Sequence, residues 1–233
     1  MRIWDLHPGY LNRQSLLGEH RELHGLVNVV TQNKKGYSRH PETLRWVGLG
    51  WALRQRHSLL AAEMALRGYQ DKSPVLTRSA KGEWPATFID TPFEQIQILR
   101  EKYRDKEPGR IPLPTNAQQL WRHHKYSVMA RHPATYKTIG QQVAKMARDS
   151  DFSQLSLDLI QILRQSPSSG GIMNALQHMW GYVSDVPDTK SAHYYLQTPK
   201  RLLLEIQRRA NENNQSYLLQ STALSDLFIF TCK

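Results

Sequence analysis

Apolar residues recur at helical spacing along most of the chain, and strict alternation of the kind a half-buried strand requires is scarce. Leu16, Leu23, Val27 and Val30 fall on one stripe, while Ser15, Glu19 and Glu22 share another face at spacings of four and three. A first helix is predicted from about Asn12 to Val30. A second pattern runs from Pro41 to Leu66, with Pro41 suited to a first helical position and Gly68 to a C-terminal cap, although Gly48 and Gly50 weaken its middle. Thr91, Pro92, Phe93 and Glu94 supply an N-cap, a first-turn proline and a capping-box glutamate in register, so a helix starts there. The stretch Asp105–Pro114 is too rich in proline and charge to continue it and reads as a linker. It divides the chain into predicted domains 1–112 and 113–233. Thr115 with Gln118 reads as another capping box, opening a helix that Pro133 stops. Helical patterns then cover Ala134–Arg148, Ser153–Gln165 and Ile172–Val183, followed by one from Thr198 and Pro199 to about Asn211 and a short one over Tyr217–Leu224. The expectation is an all-α protein, two helical domains joined by a Pro-rich linker.

Charge narrows the partners. With 31 Lys and Arg against 20 Asp and Glu, the 233-residue chain carries +11 and has a pI near 9.8. Both halves are basic, the footprint of a protein that meets phosphate, although a merely solvated basic surface has the same composition. The lone Cys232 rules out a disulfide framework and a Cys-based metal site. Arg2, Asp5 and His7 stand where a signal peptide would place an apolar run, and no run of 18 apolar residues occurs. The reading is a cytoplasmic protein without a membrane partner.

The N-terminus carries the chemistry. Protein α-amines titrate near ~7.7–8.0, against ~10.4 for lysine, so a useful fraction is unprotonated at neutral pH. Such an amine can attack C1′ of a deoxyribose and form a Schiff base that acidifies the C2′ proton for β-elimination. Arg2 is too bulky for the usual removal of an initiator methionine, so Met1 is expected to stay and to offer its amine. A carboxylate is still needed to assist sugar-ring opening and to handle the elimination proton. By spacing alone, Glu22 reads as a solvated helix residue.

Met1-Arg-Ile-Trp-Asp-Leu-His-Pro-Gly-Tyr-Leu11, Glu19-His-Arg-Glu-Leu23, Lys35-Gly-Tyr-Ser-Arg-His-Pro41, Leu53-Arg-Gln-Arg56 and Leu66-Arg-Gly-Tyr69 resemble the phage-type pyrimidine-dimer glycosylase family over roughly residues 1–70. In the phage enzymes the initiator methionine is lost and the next residue supplies the amine, whereas here Met1 aligns with that residue. The resemblance implies Met1 as nucleophile, Glu22 as catalytic carboxylate, and Arg2 and Arg21 as grips on phosphates flanking the lesion. Arg54 and Arg56 are weaker DNA-binding candidates on matching stretches. Where the phage pattern places a further arginine, this chain reads His24-Gly25-Leu26, so the resemblance supports the lyase chemistry more strongly than the phosphate clamp and the dimer specificity. Trp4, Trp46 and Trp51 read as core before they read as base-stacking wedges.

In the second half, Trp121-Arg-His-His-Lys-Tyr-Ser-Val-Met-Ala130, Tyr136 with Gly140, and Asn174-Ala-Leu-Gln-His-Met-Trp-Gly-Tyr182 resemble the YbgA-like domain of uncertain function. That domain occurs joined to unrelated catalytic domains, which implies an accessory role. Arg122, His124 and Lys125 are its candidate DNA contacts. Adjacent His123 and His124 cannot share a helix face, so no metal is expected, and no cofactor. The leading expectation is a bifunctional glycosylase and AP lyase acting on double-stranded damaged DNA, at pyrimidine dimers or abasic sites. The alternative is a non-catalytic binder of DNA or structured RNA on a glycosylase-like fold. The second domain's partner is left open between nucleic acid and a repair protein.

Overall fold

The computed structural model describes residues 1–32, 35–78, 82–184 and 198–231, so Cys232 lies outside the described residues. All regular structure among them is helical. The chain divides into two compact units, Met1–Gly109 and Arg110–Lys233, a division that falls inside the Asp105–Pro114 stretch.

In the first unit a 3-10 turn (Pro8–Tyr10) precedes α1 (Arg13–Gln32), followed by α2 (Pro41–Arg45), α3 (Gly50–Leu66) and α4 (Pro92–Lys102). Asn12 starts α1, its side chain accepting from Ser15 N–H at 2.9 Å. Leu16, Leu23 and Leu26 of α1 and Leu53 and Leu60 of α3 are fully buried, and α1 packs on α3. Each such leucine contributes about 1.5–3 kcal/mol by leaving water. The expected Pro41–Leu66 helix is two helices. Trp46 caps the first and Gly48 takes φ +79°, a left-handed conformation in which the path turns before α3 begins. α4 opens with the capping box read from Thr91 and Glu94, both reciprocal bonds being present.

In the second unit, α5 (Ala117–Arg131) is central, packed against α6 (Pro133–Lys145), α7 (Ser153–Leu163) and α8 (Ser169–Trp180). Its C-terminal half is buried nearly all round, as a helix enclosed by others must be. α9 (Pro199–Glu212) lies on α8, and the short α10 (Ser216–Leu219) and α11 (Ala223–Asp226) follow. The expected capping box at Thr115 is corrected by one residue: Asn116 is the N-cap and accepts from Gln119 N–H at 2.9 Å. Gln118 instead donates to the Val143 and Met146 carbonyls at 3.1 and 2.7 Å, closing the C-terminal end of α6 against α5. α8 starts earlier than its apolar pattern suggests, because Ser168 caps it and Gly170 and Gly171 lie inside its first turn. A Cβ on Gly171 would collide with the Ala130 carbonyl, so the missing side chain lets α8 approach α5. Arg131 and Asp226 form a buried two-bond pair at 2.8 and 3.0 Å that ties α5 to α11.

Candidate active site

The first seven residues run along α1 antiparallel to it. Arg2 N–H donates to Glu22 Oε2 at 2.6 Å and Trp4 N–H donates to Glu19 Oε1 at 3.2 Å. Ile3, Trp4 and Leu6 turn into the core, which holds the segment down. Polar ties then fix successive residues. The Arg2 guanidinium pairs with Asp90 at 2.5 Å and lies 4.3 Å from the Trp4 ring centroid. Asp5 N–H donates to Gln95 Oε1 at 2.9 Å, and the Asp5 carboxylate accepts from Gln95 and Arg45. The Leu6 carbonyl accepts from Arg56 at 2.7 Å.

Glu19 and Glu22, three residues apart on α1, have different environments. Glu19 is buried and gripped by Arg56 through two bonds of 2.7 and 2.8 Å. Burial pushes its carboxyl up, and the Arg56 charge and hydrogen bonds oppose that shift. Glu22 is exposed, with one oxygen on the Arg2 amide. One residue of covalent geometry separates that amide from the Met1 amine, which therefore lies within about 6 Å of the Glu22 oxygen. Both residues line a cavity of about 430 Å³ with Gly25, Asn28, Val29 and Tyr37. The two residues named from the sequence thus line one opening.

Tyr37 was not singled out as a site residue. It is 69% exposed at this opening and has φ +56°, strain that a non-glycine residue sustains only when its surroundings fix it. Its place after Lys35-Gly36 carried no signal of that role. A second depression of about 690 Å³ on α1 is lined by Arg13, Arg21 and Lys106, three cations against Glu107. Arg21 is exposed there, open to a phosphate. Arg13 was missed, though it sits two turns before Arg21.

Other candidates stand elsewhere. Arg56 is 2% exposed and fully used by Glu19 and Leu6, so the expectation that it contacts DNA is corrected to a structural tie. Arg54 bonds to the carbonyl and hydroxyl of Thr77, anchoring the segment after α3. Trp4 and Trp46 are core, while Trp51 is half-buried and meets Trp84 edge to face. In the second unit His124 is buried, which corrects its placement among the DNA contacts. Arg122 and Lys125 lie over Tyr217, each 4.8 Å from its centroid, and Tyr217 stacks on the exposed Tyr182 at 4.9 Å.

The fold and this opening define a helical unit that presents a backbone amine beside a carboxylate. Residues 1–77 match the family model of the pyrimidine dimer DNA glycosylases, and residues 125–226 match that of a protein family of unknown function, DUF1722. The chain thus joins two units with the arrangement expected from its sequence. No curated protein and no solved structure matches it. The first match supports a pyrimidine-dimer DNA glycosylase role in general terms, with DNA as substrate. Among the described residues, no helix is long and apolar enough to cross a membrane.

Proposed function

We propose that the first unit is a glycosylase and AP lyase in which the Met1 amine attacks C1′ of the damaged nucleotide. The observation that carries this reading is the Arg2 N–H bond to Glu22, which sets the carboxylate beside the amine at the mouth of one cavity. The glycosidic bond breaks with its electron pair leaving on the base, and the amine and C1′ form an imine. Glu22 assists opening of the sugar ring and relays the proton lost from C2′ as the 3′ phosphate departs in β-elimination. Water then hydrolyses the imine and frees the enzyme. None of these steps draws on a metal or a cofactor.

Rigidity favours this chemistry. The first residues of a domain ordinarily fray. Here Arg2, Trp4, Asp5 and Leu6 each have a polar tie to the body, so the amine is held without an ordering cost at the moment of attack. Arg21, with Arg13 and Lys106 along α1, is placed to grip backbone phosphate. The exposed Tyr37 ring offers a face to an extruded base. Arg2 reaches phosphate only by releasing Asp90. In the second unit, Arg122 and Lys125 beside Tyr182 and Tyr217 support an accessory grip on nucleic acid.

Borohydride trapping tests the reading. Protein with a free N-terminus is incubated with duplex DNA carrying an abasic site or a thymine dimer, then reduced, and the crosslink is mapped by mass spectrometry. The expected adduct is on the Met1 amine, with its formation slowed in Glu22→Gln. No adduct with either substrate overturns the enzyme and leaves a nucleic-acid binder on a glycosylase-like fold.

A further inference from the structure

Four side chains with metal-ligating atoms converge in the first unit, outside the amine site. His20 and His24 are one turn apart on α1, His57 is on α3, and Asp71 is in the segment that follows α3. The three imidazole centroids are 4.7, 5.0 and 5.2 Å apart. Asp71 reaches two of the rings, Oδ1 lying 3.2 Å from His20 Nε2 and Oδ2 3.4 Å from His57 Nε2. One donor atom from each of the four lies within 4.8 Å of every other. A tetrahedral ion with nitrogen and oxygen ligands at ~2.0–2.2 Å keeps its donors about 3.4 Å apart. The Asp71 contacts, one from each carboxylate oxygen, are near that spacing, and the widest donor separation, up to 4.8 Å, exceeds it by about 1.4 Å.

A self-contained hydrogen-bond network would leave no polar atom over, and this cluster leaves two. His24 Nε2 and His57 Nε2 are both shielded from solvent and have no hydrogen-bond partner, and the His57 residue is 6% exposed. Buried polar atoms of this kind cost about 1–3 kcal/mol each unless something occupies the space between them. The surroundings orient the ligands as an outer shell does. Ser73 N–H donates to Asp71 Oδ1 at 3.0 Å, and His57 has a hydrogen bond with the Ser73 backbone.

We propose that His20, His24, His57 and Asp71 bind one divalent transition-metal ion of the zinc class. Three imidazoles and one carboxylate suit zinc and disfavour magnesium or calcium, which take oxygen ligands. With all four positions supplied by protein the site is closed, and its work is structural. It joins α1, α3 and the segment after α3, where Asp71 is the ligand outside the helices. His20 and Glu22 are two residues apart, about 200° around the helix, so the ion sits on the opposite side of α1 from the amine opening. In the sequence the adjacent His123 and His124 point away from a metal. His20 and His24, spaced i and i+4 on one face, were the pattern to read.

This inference is independent of the glycosylase reading. The full chain without an affinity tag is stripped with chelator, dialysed and titrated with Zn²⁺ by calorimetry, and with Co²⁺ by visible absorption. The expected results are one equivalent bound, the strong visible bands of four-coordinate Co²⁺, and a rise of about 5 °C or more in melting temperature at saturation. The pair His24→Asn and His57→Asn is expected to weaken binding by about 100-fold, and Asp71→Asn alone by about 10-fold. No binding by the stripped chain, a weak six-coordinate Co²⁺ spectrum, or undiminished affinity in a folded variant overturns the site. The Co²⁺ spectrum of the unsubstituted chain decides the matter even if the double variant fails to fold.

Discussion

Replacing Arg56 by Met separates a structural role from a DNA-binding one. Its guanidinium makes three bonds, two to Glu19 at 2.7 and 2.8 Å and one to the Leu6 carbonyl at 2.7 Å. The Arg56 and Glu19 side chains are only 3% and 0% exposed, so solvent cannot replace what is lost. Stranding one partner of a buried, hydrogen-bonded pair costs about 3–5 kcal/mol. The Leu6 carbonyl loses its bond as well, and that places the expectation at the upper end. In a unit whose whole stability is on the order of 5–15 kcal/mol, such a loss is severe. At ~4–8 °C per kcal/mol, scanning calorimetry should show the first unit's transition falling by roughly 20 °C or more. The effect has a pH signature. Glu19 already has its folded pKa raised by burial, and removing Arg56 raises it further, so the deficit appears as pH climbs through that pKa and shrinks below about 4.5. A variant that keeps its melting temperature but binds DNA with a salt slope shallower by about one would refute this account and return Arg56 to the phosphate contacts.

Glu22→Gln should leave the melting temperature within about 1 °C, since the residue is exposed, while lowering single-turnover cleavage by about 10²–10⁴; equal losses of stability and rate would make Glu22 a scaffold residue. Gly171→Ala should destabilise the second unit by about 1–3 kcal/mol through the collision with the Ala130 carbonyl. Gly170→Ala, where a Cβ meets nothing, should gain up to about 1 kcal/mol in the same denaturant titration. Burial, with Arg122 and Arg110 adding to it, pushes His123 down to about 4. The unfolded chain therefore binds the extra proton first, and the second unit should lose about 3 kcal/mol as pH falls from 6.5 to 4. His123→Gln should flatten that profile.

Helix existence was legible because burial follows the 3.6-residue period. Leu16 and Leu23 announce α1, and Thr91 with Glu94 announces α4 through a local bond pattern. Breaks were less legible. Gly48 interrupts a continuous apolar pattern only because its backbone turns left-handed, and Asn116 displaces Thr115 as cap because Gln118 is needed at the end of α6. At the site, the Met1–Glu22 register came through a resemblance, since spacing alone describes a solvated glutamate. Arg56 could not be told from Arg54 in the sequence, as two basic residues two apart give no hint that one faces Glu19. Convergence of residues distant in sequence, such as Tyr37 with Met1 or Asp71 with His20, is a property of the fold and has no local signature.

Glu19 and Glu22 explain how the first residues are anchored while one carboxylate stays accessible. A buried carboxylate can anchor the first residues firmly but cannot reach a substrate. The helix divides the tasks: Glu19, sealed by Arg56, fixes Trp4 and with it the path of the segment. Glu22, one turn further, meets the segment at Arg2 through one oxygen, and in the proposed reaction the other serves the sugar. Placing one glycine ahead of Met1 moves the free amine a residue beyond Glu22 and should therefore abolish imine formation, while leaving the Glu19–Arg56 pair and the melting temperature nearly intact. Retained trapping in that extended chain would show that the amine needs proximity alone and no fixed register against α1.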